Sequence, residues 1–382
     1  MWVSHLSLTD VRSYAEVGVD LQPGVTTFVG SNGQGKTNLV EAIGYVATLG
    51  SHRVASDAPL VRADTQQGII RCEVTAHDRE VLVEIAIIPG KANKARINRS
   101  PVSRVRDVLG ILRVVVFAPE DLALVKGDPS DRRRFLDELL VQRTPRMAGT
   151  LSDLDRVLKQ RNALLKSASF ARRHAGQEML RTLGVWDEQL AGVGAEIIVA
   201  RLELLDELGP PSVRDYAFIS QDTASALELS YVSSLEASLG EELPVAARDR
   251  SVWASAVLQA IESRRDEELN RGVTLVGPQR DDLAIRLGPV PAKGYASHGE
   301  SWSIALALRL ASFEVLRADG EDPVLILDDV FAELDVRRRE RLAQRLVGAN
   351  QVIITAAADA DIPVELSGSR FRVDAGTVRR DV

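Results

Sequence analysis

The chain has 382 residues, of which 45% are hydrophobic and 26% charged, which is the composition of a soluble globular protein with one large or two ordinary domains. Its formal net charge of −7 argues against a protein that coats nucleic acid through an overall positive charge. No run approaches the ~18–20 apolar residues of a membrane helix, so we expect no membrane segment and a cytoplasmic location. The single cysteine, Cys72, excludes an intramolecular disulfide and a cysteine-ligated metal cluster.

The first third of the chain alternates polar and apolar residues in the way typical of strands. The pattern predicts strands at residues 2–9, 14–21, 25–29, 69–75, 81–88 and 113–117, with 69–75 and 81–88 as an antiparallel pair. One helix is predicted at residues 36–48. A second is predicted from Pro129 to about Val141, because Asp128 can cap it and proline suits the first helical position.

The middle of the chain, from about residue 145 to 208, has apolar residues at helical spacing and few strand signals. We expect Gly209-Pro210-Pro211 to end this helical region. A strand at 227–231 and a helix at 251–270 are predicted next. An α/β pattern returns at Val273, with helices at 301–318 and 335–347 and apolar strands at 324–327 and 352–355. The simplest organisation is an α/β domain built from residues 1–142 and 272–382, with a mainly helical insertion at 143–271.

A glycine-rich segment lies between the third predicted strand and the first helix, and it fits the phosphate-binding pattern GxxxxGK[ST]. Glycines allow backbone N–H groups to surround a phosphate, and the helix N-terminus adds a partial positive charge. Lys36 is expected to reach the β- and γ-phosphates, and the Thr37 hydroxyl to bind Mg²⁺. The residues predicted to bind the nucleotide here are Gly30, Ser31, Asn32, Gly33, Gln34, Gly35, Lys36, Thr37 and Asn38.

Two carboxylates follow the apolar strand at 324–327. Acidic residues often follow strands, so this pattern is weak alone, but it gains weight beside a phosphate-binding loop. We expect Asp328 to bind Mg²⁺, and Asp329 to act as general base or to position the attacking water.

Two further segments carry a family resemblance. Phe331 to Asp335, directly after the carboxylates, resembles the D-loop of ABC-type ATPases, and Ser297-His298-Gly299-Glu300-Ser301 resembles their signature at a helix N-terminus. Other stretches resemble the RecF family of ABC/SMC ATPases in particular, and the resemblance covers essentially the whole chain. These stretches are 117–121 (FAPED), 131–137 (DRRRFLD), 159–163 (KQRNA), 277–283 (GPQRDDL) and 306–311 (LALRLA).

The resemblance implies an ABC-type P-loop ATPase head with ATP and Mg²⁺ as cofactors. Ser297, Gly299 and Glu300 would contact the γ-phosphate bound by a second copy, so that ATP joins a homodimer. That dimer would clamp DNA at gaps and at junctions of single and double strands, and hydrolysis would release it. The resemblance further implies a DNA-stimulated ATPase of recombinational repair, DNA replication and the SOS response, with RecR, RecO and indirectly RecA as partners.

The sequence departs from the wider ABC pattern at three positions. Glu300 stands where the signature usually has glutamine, which puts a neutral amide contact there in doubt. Asp329 replaces the commoner glutamate and shortens the reach of the base, so slow hydrolysis is expected. Thr355 precedes the position where ABC transporters have a switch histidine, and a sensor role would fall to it.

Two alternatives remain open on the residues alone: an ABC-type ATPase that acts on proteins or in transport without binding DNA, and a P-loop small-molecule kinase. The negative net charge favours the first, while no acceptor pocket or lid is indicated for the second.

Arg53 is equally consistent with a contact to DNA or nucleotide and with a solvated side chain. The arginine runs considered for DNA contact are 132–134, 172–173, 264–265 and 337–339; the histidines at 5, 52, 77 and 174, which lack metal-ligand spacing, are expected to be surface or structural.

Overall fold

The computed structural model describes residues 1–77, 79–170, 177–221, 226–240 and 243–381. The chain forms two compact units, each assembled from separate segments. The first contains Met1–Lys126, Pro210–Leu227 and Gly294–Val382, and the second contains Gly127–Gly209 and Glu228–Lys293. No helix among these described ranges combines the length and apolar character needed to cross a bilayer.

Strands and helices are numbered here in chain order. The strands are β1 (Trp2–Val11), β2 (Tyr14–Asp20), β3 (Gly24–Val29), β4 (Gly68–Ala76), β5 (Arg79–Ile87), β6 (Lys94–Ile97), β7 (Ser100–Pro101), β8 (Val114–Phe117), β9 (Leu227–Val232), β10 (Asp282–Leu287), β11 (Val290–Pro291), β12 (Val324–Asp328), β13 (Gln351–Ala356), β14 (Ser369–Asp374) and β15 (Thr377–Arg380). The helices are α1 (Lys36–Thr48), α2 (Leu122–Lys126), α3 (Pro129–Arg143), α4 (Met147–Phe170), α5 (Gln177–Ser220), α6 (Glu236–Leu239), α7 (Arg250–Ser263), α8 (Arg265–Arg271), α9 (Ala292–Tyr295), α10 (His298–Arg317) and α11 (Val336–Leu346).

The first unit contains an antiparallel sheet in the order β2-β1-β4-β5-β6-β7. The predicted antiparallel pairing of two strands is confirmed, because β4 and β5 pair with Ile70 opposite Ile85. These two side chains are buried, and so is Cys72, while their sequence neighbours are more exposed. The alternation read from the sequence therefore assigns one face of the sheet to the core and the other to solvent.

The second sheet of this unit has the order β15-β14-β3-β13-β12-β8, and β3, β13, β12 and β8 run parallel. Strand β12 is buried along its whole length, as expected for the centre of a parallel sheet. Parallel neighbours end at the same edge of a sheet. The segments that follow β3 and β12 and the last residues of β13 consequently lie together, although β3 is about 300 residues away from the other two strands in sequence.

The second unit is mainly helical, with a small sheet in the order β11-β10-β9. Its interior holds a buried cluster of charged side chains around Arg161, which is fully buried on α4. The Arg161 guanidinium donates to Asp187 at 2.8 Å, to Glu268 and to the Thr274 hydroxyl at 2.8 Å. Asp187 also accepts from Arg265 at 2.7 Å. The cluster fixes α4, α5 and α8 to one another through satisfied charge pairs.

The prediction that Gly209-Pro210-Pro211 ends the helical region is wrong, because α5 continues through both prolines to Ser220. Downstream of the prolines, Ser212, Asp215, Tyr216 and Ile219 are buried at helical spacing. Asp215 also pairs with Arg345 of α11 at 2.6 Å. Burial of that face stabilises α5 and compensates for the loss of the two backbone hydrogen bonds that the prolines, which lack an N–H, cannot donate.

Smaller differences occur further along the chain. The predicted helix at 251–270 is divided into α7 and α8 at Arg264, and Val273–Val276 is an irregular segment rather than regular structure. Thr274 and Leu275 instead donate their backbone N–H groups to Asn162 and Glu268 side chains, which satisfies them without a neighbouring strand.

The predicted domain boundaries, at residues 142 and 271, both lie inside the second unit. Helix α3 belongs there because Arg132 forms a paired contact to Asp282 of β10, with both nitrogen–oxygen distances at 2.8 Å. Residues 210–227, which the sequence assigned to the insertion, belong to the first unit. The division into a head and an inserted arm remains a prediction.

Candidate nucleotide-binding site

The glycine-rich loop between β3 and α1 has the backbone geometry that its residue types predict. Gly33 and Gly35 have φ angles of 84° and 109°, in the region that glycine tolerates best. A Cβ atom on Gly30 would lie 2.2 Å from the Val373 carbonyl oxygen, so glycine is required there by close packing. No side chain of the described residues caps α1 at Gly35, and its first-turn N–H groups face the loop. The result is a cradle for an anion at a helix N-terminus.

Lys36 is almost fully buried at the start of α1, with 3% of its surface exposed. Its ammonium group donates to the carbonyl oxygens of Gly30 at 2.8 Å and Ser31 at 3.3 Å. These contacts hold the positive charge across the mouth of the loop, where Ser31, Asn32 and Gly33 are exposed. Gln34 of the loop contacts the turn that follows β14, since its amide oxygen accepts from the Ala375 N–H at 2.6 Å.

Asp328, the last residue of β12, is the centre of the site. Its Oδ1 accepts from the Thr37 hydroxyl at 2.9 Å and from the Thr355 hydroxyl at 2.7 Å. Its Oδ2 lies 3.4 Å from Nε2 of His52. Burial raises the pKa of Asp328, but the hydrogen bonds from His52, Thr355 and Thr37 outweigh it and leave the pKa below its usual value. The carboxylate is therefore ionised at neutral pH.

Asp329 has a different environment from its neighbour. Its φ angle of 52° is rare for a residue with a side chain, and its N–H donates to the Thr355 hydroxyl at 2.9 Å. Its Oδ1 is buried and has no hydrogen-bond partner within the described ranges. Burial raises the pKa of Asp329, Lys36 offsets part of that shift and Asp328 adds to it. A strained residue with an unpartnered carboxylate oxygen and a raised pKa has the features of a group kept for chemistry.

A second buried carboxylate, Glu41 of α1, organises the side of the loop next to α1. Arg12 donates to both of its oxygens, at 2.6 and 2.8 Å, and the Ser51 hydroxyl also donates to it. Arg53 lies 3.6 Å from Glu41 and donates to the Asn38 amide oxygen at 3.2 Å. Arg53 thus contacts the helix that carries the loop. Sequence reasoning missed Glu41 and Arg12, because an acidic residue inside a predicted helix gives no sign that it will be buried.

His52 was expected to be surface or structural, and the structure places it against Asp328 with its side chain only 15% exposed. Spacing rules search for several metal ligands near one another in sequence. A single histidine that meets a carboxylate 276 residues away leaves no such pattern.

The signature-like segment caps α10. The Ser297 side chain accepts from the Glu300 N–H at 3.2 Å, and the Glu300 carboxylate accepts from the Ser297 N–H at 2.7 Å, which is a reciprocal capping box. Glu300, the residue that departs from the usual glutamine, is therefore engaged in the cap. A Cβ on Gly299 would lie 2.8 Å from Arg338 of α11, so glycine admits that guanidinium.

The structure brings one group of the predicted site residues together and leaves the other apart. Thr37, Asp328 and Asp329 are joined directly or through Thr355, and Lys36 is held beside them by the carbonyl oxygens of the loop. Across the described residues, no hydrogen bond or ion pair connects Ser297 or Glu300 with the glycine-rich loop.

The arginine runs considered for DNA contact are largely engaged within the protein. In the first run, Arg132 pairs with Asp282 and Arg134 with Glu138. Arg264 and Arg265 pair with Glu267 and Asp187. In the last run Arg338 pairs with Asp335, while Arg337 is exposed. Residues 172–173, and His174 beside them, lie outside the described residues.

Comparisons with known proteins agree with this geometry. Residues 2–363 match the family model for the RecF/RecN/SMC N terminal domain. The chain is 58% identical to the DNA replication and repair protein RecF of Streptomyces avermitilis and 57% identical to that of Frankia alni, each over 381 residues and all of both chains.

Solved structures give the same result at the level of the fold. The structure of the recombination mediator protein RecF-ATP in the RecFOR pathway is similar with a TM-score of 0.88 and 27% identity, over 100% of this chain and 98% of that one. An Smc head domain from Pyrococcus furiosus shares the fold with a TM-score of 0.54 at 15% identity, over 100% of this chain and 96% of that one. The chain has the α/β fold of an ABC-type ATPase head with additional helices, and it belongs to the RecF family of DNA replication and repair proteins.

Proposed function

We propose that this chain is a slow, Mg²⁺-dependent and DNA-stimulated ATPase, and that ATP drives the formation of a homodimer that clamps gapped or junction DNA in recombinational repair. The observation that carries the proposal is the convergence of the Thr37 and Thr355 hydroxyls on Oδ1 of Asp328, at 2.9 and 2.7 Å. Oxygen groups of the kind that magnesium prefers thus lie beside a loop suited to phosphate, which supports the proposal.

The residues present fit a magnesium ion. Mg²⁺ prefers oxygen ligands, and a hydroxyl and an ionised carboxylate oxygen already lie 2.9 Å apart. When bound with ATP, the ion supplies charge neutralisation at the β- and γ-phosphates. Thr37 and Asp328 would hold it, and Thr355 would keep the Asp328 carboxylate in the required rotamer.

The chain's other residues have separate roles in this proposal. Lys36 exchanges its contacts with the loop carbonyls for the phosphate oxygens, and the N–H groups of the loop and of α1 donate to the same anion. Asp329 accepts a proton from the attacking water through its unpartnered Oδ1. The raised pKa makes Asp329 a stronger base than an ordinary aspartate, while its short side chain limits its reach.

A complete site requires a second copy of the chain. The α10 N-terminus carries Ser297, Gly299 and Glu300 in a fixed capping box, and no hydrogen bond or ion pair among the described residues joins it to the loop of its own chain. In a homodimer with two-fold symmetry each α10 N-terminus faces the partner's nucleotide, and two incomplete sites become two complete ones. Glu300 then contributes by holding the α10 N-terminus in its capping box rather than through an amide side chain.

The role in DNA repair follows from the family. The relatives are DNA replication and repair proteins named RecF, and the related structures are of the recombination mediator RecF in the RecFOR pathway. We accordingly assign this chain to the same step, with RecR and RecO as direct partners and the loading of RecA as the outcome. Phosphate contacts would give affinity without sequence specificity.

The test is the oligomeric state of the wild type and of Lys36→Met, measured by light scattering with Mg²⁺ and either ATP or a non-hydrolysable analogue. We expect the wild type to shift from monomer to dimer and the variant to remain a monomer. A wild type that stays monomeric at saturating nucleotide would refute ATP as the agent that joins the dimer. ATP hydrolysis with and without gapped duplex then tests the DNA stimulation separately.

A further inference from the structure

An unusual concentration of positive charge lies on the β6–β7 hairpin of the antiparallel sheet. Between Lys91 and Arg106, here named the basic hairpin, the chain has six basic residues and no acidic one, although its net charge is −7. Five of the six are exposed: Lys91, Lys94, Arg96, Arg99 and Arg104.

The basic hairpin also differs from the other basic regions in how its charges are compensated. Across the described residues, none of its six cationic side chains takes part in an ion pair. By contrast, Arg132, Arg134, Arg264 and Arg265 of the predicted arginine runs all do. Six charges of one sign without ion-pair partners repel one another, which destabilises this part of the fold. Binding of an anionic ligand would relieve the repulsion.

The exposed face of the sheet extends this charge across three strands. Arg71 of β4 is opposite Glu84 of β5, and Glu84 is opposite Arg96 of β6, with Lys94 on the same face of β6. Arg71 Nε donates to Glu84 Oε1 at 3.0 Å, while Glu84 Oε2 is buried without a partner among the described residues. Glu73 of β4 and Glu80 of β5 lie further along the same face, away from the hairpin. Beside the hairpin, Arg71, Lys94 and Arg96 face the single carboxylate of Glu84, which is a local excess of +2.

The same face forms an open groove of about 470 Å³. Its floor includes the side chains of Ile69 and Ala86, and Pro101 and Ser103 of the hairpin line one wall. From residue 79 to 106 there is no aromatic side chain. A surface that binds single strands by stacking needs aromatic rings, so this groove is suited to a sugar-phosphate backbone rather than to bases.

The spacing of the charges fits a regular polyanion. Lys94 and Arg96 are two residues apart on one face of β6, and two residues of a strand span about 6.6 Å. One strand of duplex DNA carries a phosphate at every nucleotide, so two cations held at a fixed spacing can contact phosphates of the same backbone. Arginine can also hold phosphate oxygens through two N–H groups at once.

The conformation of the hairpin turn also supports a ligand-binding role. Asn98 and Arg99 both have positive φ angles, 50° and 68°, which is the two-residue turn in which asparagine followed by glycine is preferred. The second position holds an exposed arginine instead, in a conformation that a side chain disfavours. A strained, exposed and unpaired cation at a hairpin tip is more consistent with a contact to a ligand than with stability.

Protection of a sheet edge is the competing explanation, because lysine and proline commonly prevent edge strands from pairing with other chains. Edge protection requires charges on the edge strand itself. It does not account for Arg71, which lies on β4 two strands away from β6, nor for the complete absence of acidic residues across the hairpin.

We propose that the basic hairpin, together with Arg71 and the groove beneath it, binds the phosphate backbone of duplex DNA without regard to sequence. The inference rests on the proposed DNA-binding function and adds a location and a preference for duplex over single strand. The proposed contact with DNA does not involve the bound nucleotide, since no residue of this surface belongs to the glycine-rich loop.

The experiment compares the wild type with Lys94→Gln/Arg96→Gln, using fluorescence anisotropy with a short labelled duplex and Mg-ATP across a series of salt concentrations. Loss of two phosphate contacts should lower the slope of log affinity against log salt by about 1.8, which corresponds to roughly 60-fold weaker binding at 0.1 M salt. The matched control is Arg79→Gln/Arg379→Gln. It removes the same charge from two exposed strand residues of the first unit that form no ion pair within the described ranges.

Each outcome bears on the assignment. A reduced slope in the hairpin variant, with ATP-dependent dimerisation and the control variant unchanged, supports it. A hairpin variant that binds duplex like the wild type overturns the location but leaves DNA binding itself intact. Equal effects of the hairpin and control variants show a general charge effect and overturn it as well. Hairpin-dependent binding of single strands in place of duplex overturns the preference. A wild type that dimerises with ATP but binds neither nucleic acid overturns both this inference and the DNA part of the proposed function.

Discussion

Replacement of Thr355 by valine tests the arrangement at the end of β13. The Thr355 hydroxyl donates to Asp328 at 2.7 Å and accepts from the Asp329 N–H at 2.9 Å, so one atom positions the Asp328 carboxylate and the Asp329 backbone. Valine has nearly the same shape and suits a strand, and Thr355 is buried. The substitution should therefore remove two hydrogen bonds and leave the sheet intact.

The size of the effect follows from the charge on the acceptor. A hydrogen bond to an ionised group contributes about 1.5–3 kcal/mol. If that stabilisation is needed to hold Asp328 and Asp329 in the transition state, kcat should fall about 10- to 160-fold. Binding of ATP itself depends mainly on the loop and Lys36, so ATP-dependent dimerisation should persist.

Steady-state ATP hydrolysis measured with saturating Mg-ATP and gapped duplex provides the assay, with light scattering as the measure of dimer formation. Thr355→Ser retains the hydroxyl and serves as the matched control, with kcat expected close to that of the wild type. The reasoning fails if Thr355→Val keeps kcat within about twofold of the wild type, or if Thr355→Ser loses as much activity as the valine variant.

Three further predictions concern other buried groups. Arg161→Met should destabilise the second unit by about 3–5 kcal/mol in urea unfolding, because Glu268 and Asp187 remain buried after losing a partner; unchanged stability would contradict the role of the cluster. Burial raises the pKa of Cys72 to about 12, so a thiol reagent at pH 8 should label the wild type only on unfolding, and rapid labelling of the native protein would contradict the burial. Because the pKa of Asp329 is raised, hydrolysis should decline as pH falls through that raised value, at a higher pH than an ordinary aspartate would give. A decline that survives in the residual activity of Asp329→Asn would assign it to another group.

The sequence predicted several helices and strands well, because each carried a local signal. Helix α1 begins and ends where the glycine-rich loop and its apolar periodicity indicated, and α3 begins at Pro129 after the Asp128 cap. Strand β12 is a short apolar run bounded by charged residues and has the predicted limits to within one residue. In each case the residues that determine the conformation lie within a few positions of one another.

The misread features depended on contacts between distant residues. Pro210 and Pro211 predict the end of a helix, yet a face built from Tyr216 and its neighbours packs well enough for α5 to continue. The cap formed by Glu300 is an exception, because its partner Ser297 is only three positions earlier; the resemblance to the ABC signature drew attention away from it. The contact of His52 with Asp328 required knowledge of the tertiary fold.

The candidate site itself was predictable in residue types but not in connections. The glycine-rich loop and Asp328 can be recognised from sequence motifs. The contacts of Thr355 with the Asp328 carboxylate and the Asp329 N–H instead depend on β13 lying beside β12. The same is true of Glu41, whose burial between Arg12 and Ser51 is invisible in a helical pattern. Their catalytic and binding roles remain proposals.

The position of β3 between β13 and β14 has a consequence for biosynthesis. The strand that precedes the glycine-rich loop is complete at Val29, but its two neighbours lie between Gln351 and Asp374. A ribosome that adds about 5–20 residues per second needs roughly 15–60 s to produce the intervening chain. Throughout that interval the nascent protein cannot close its central sheet. A premature stop that removes only the last thirty or so residues would deprive β3 of both neighbouring strands. The resulting chain would be nearly full length but unable to complete its central sheet.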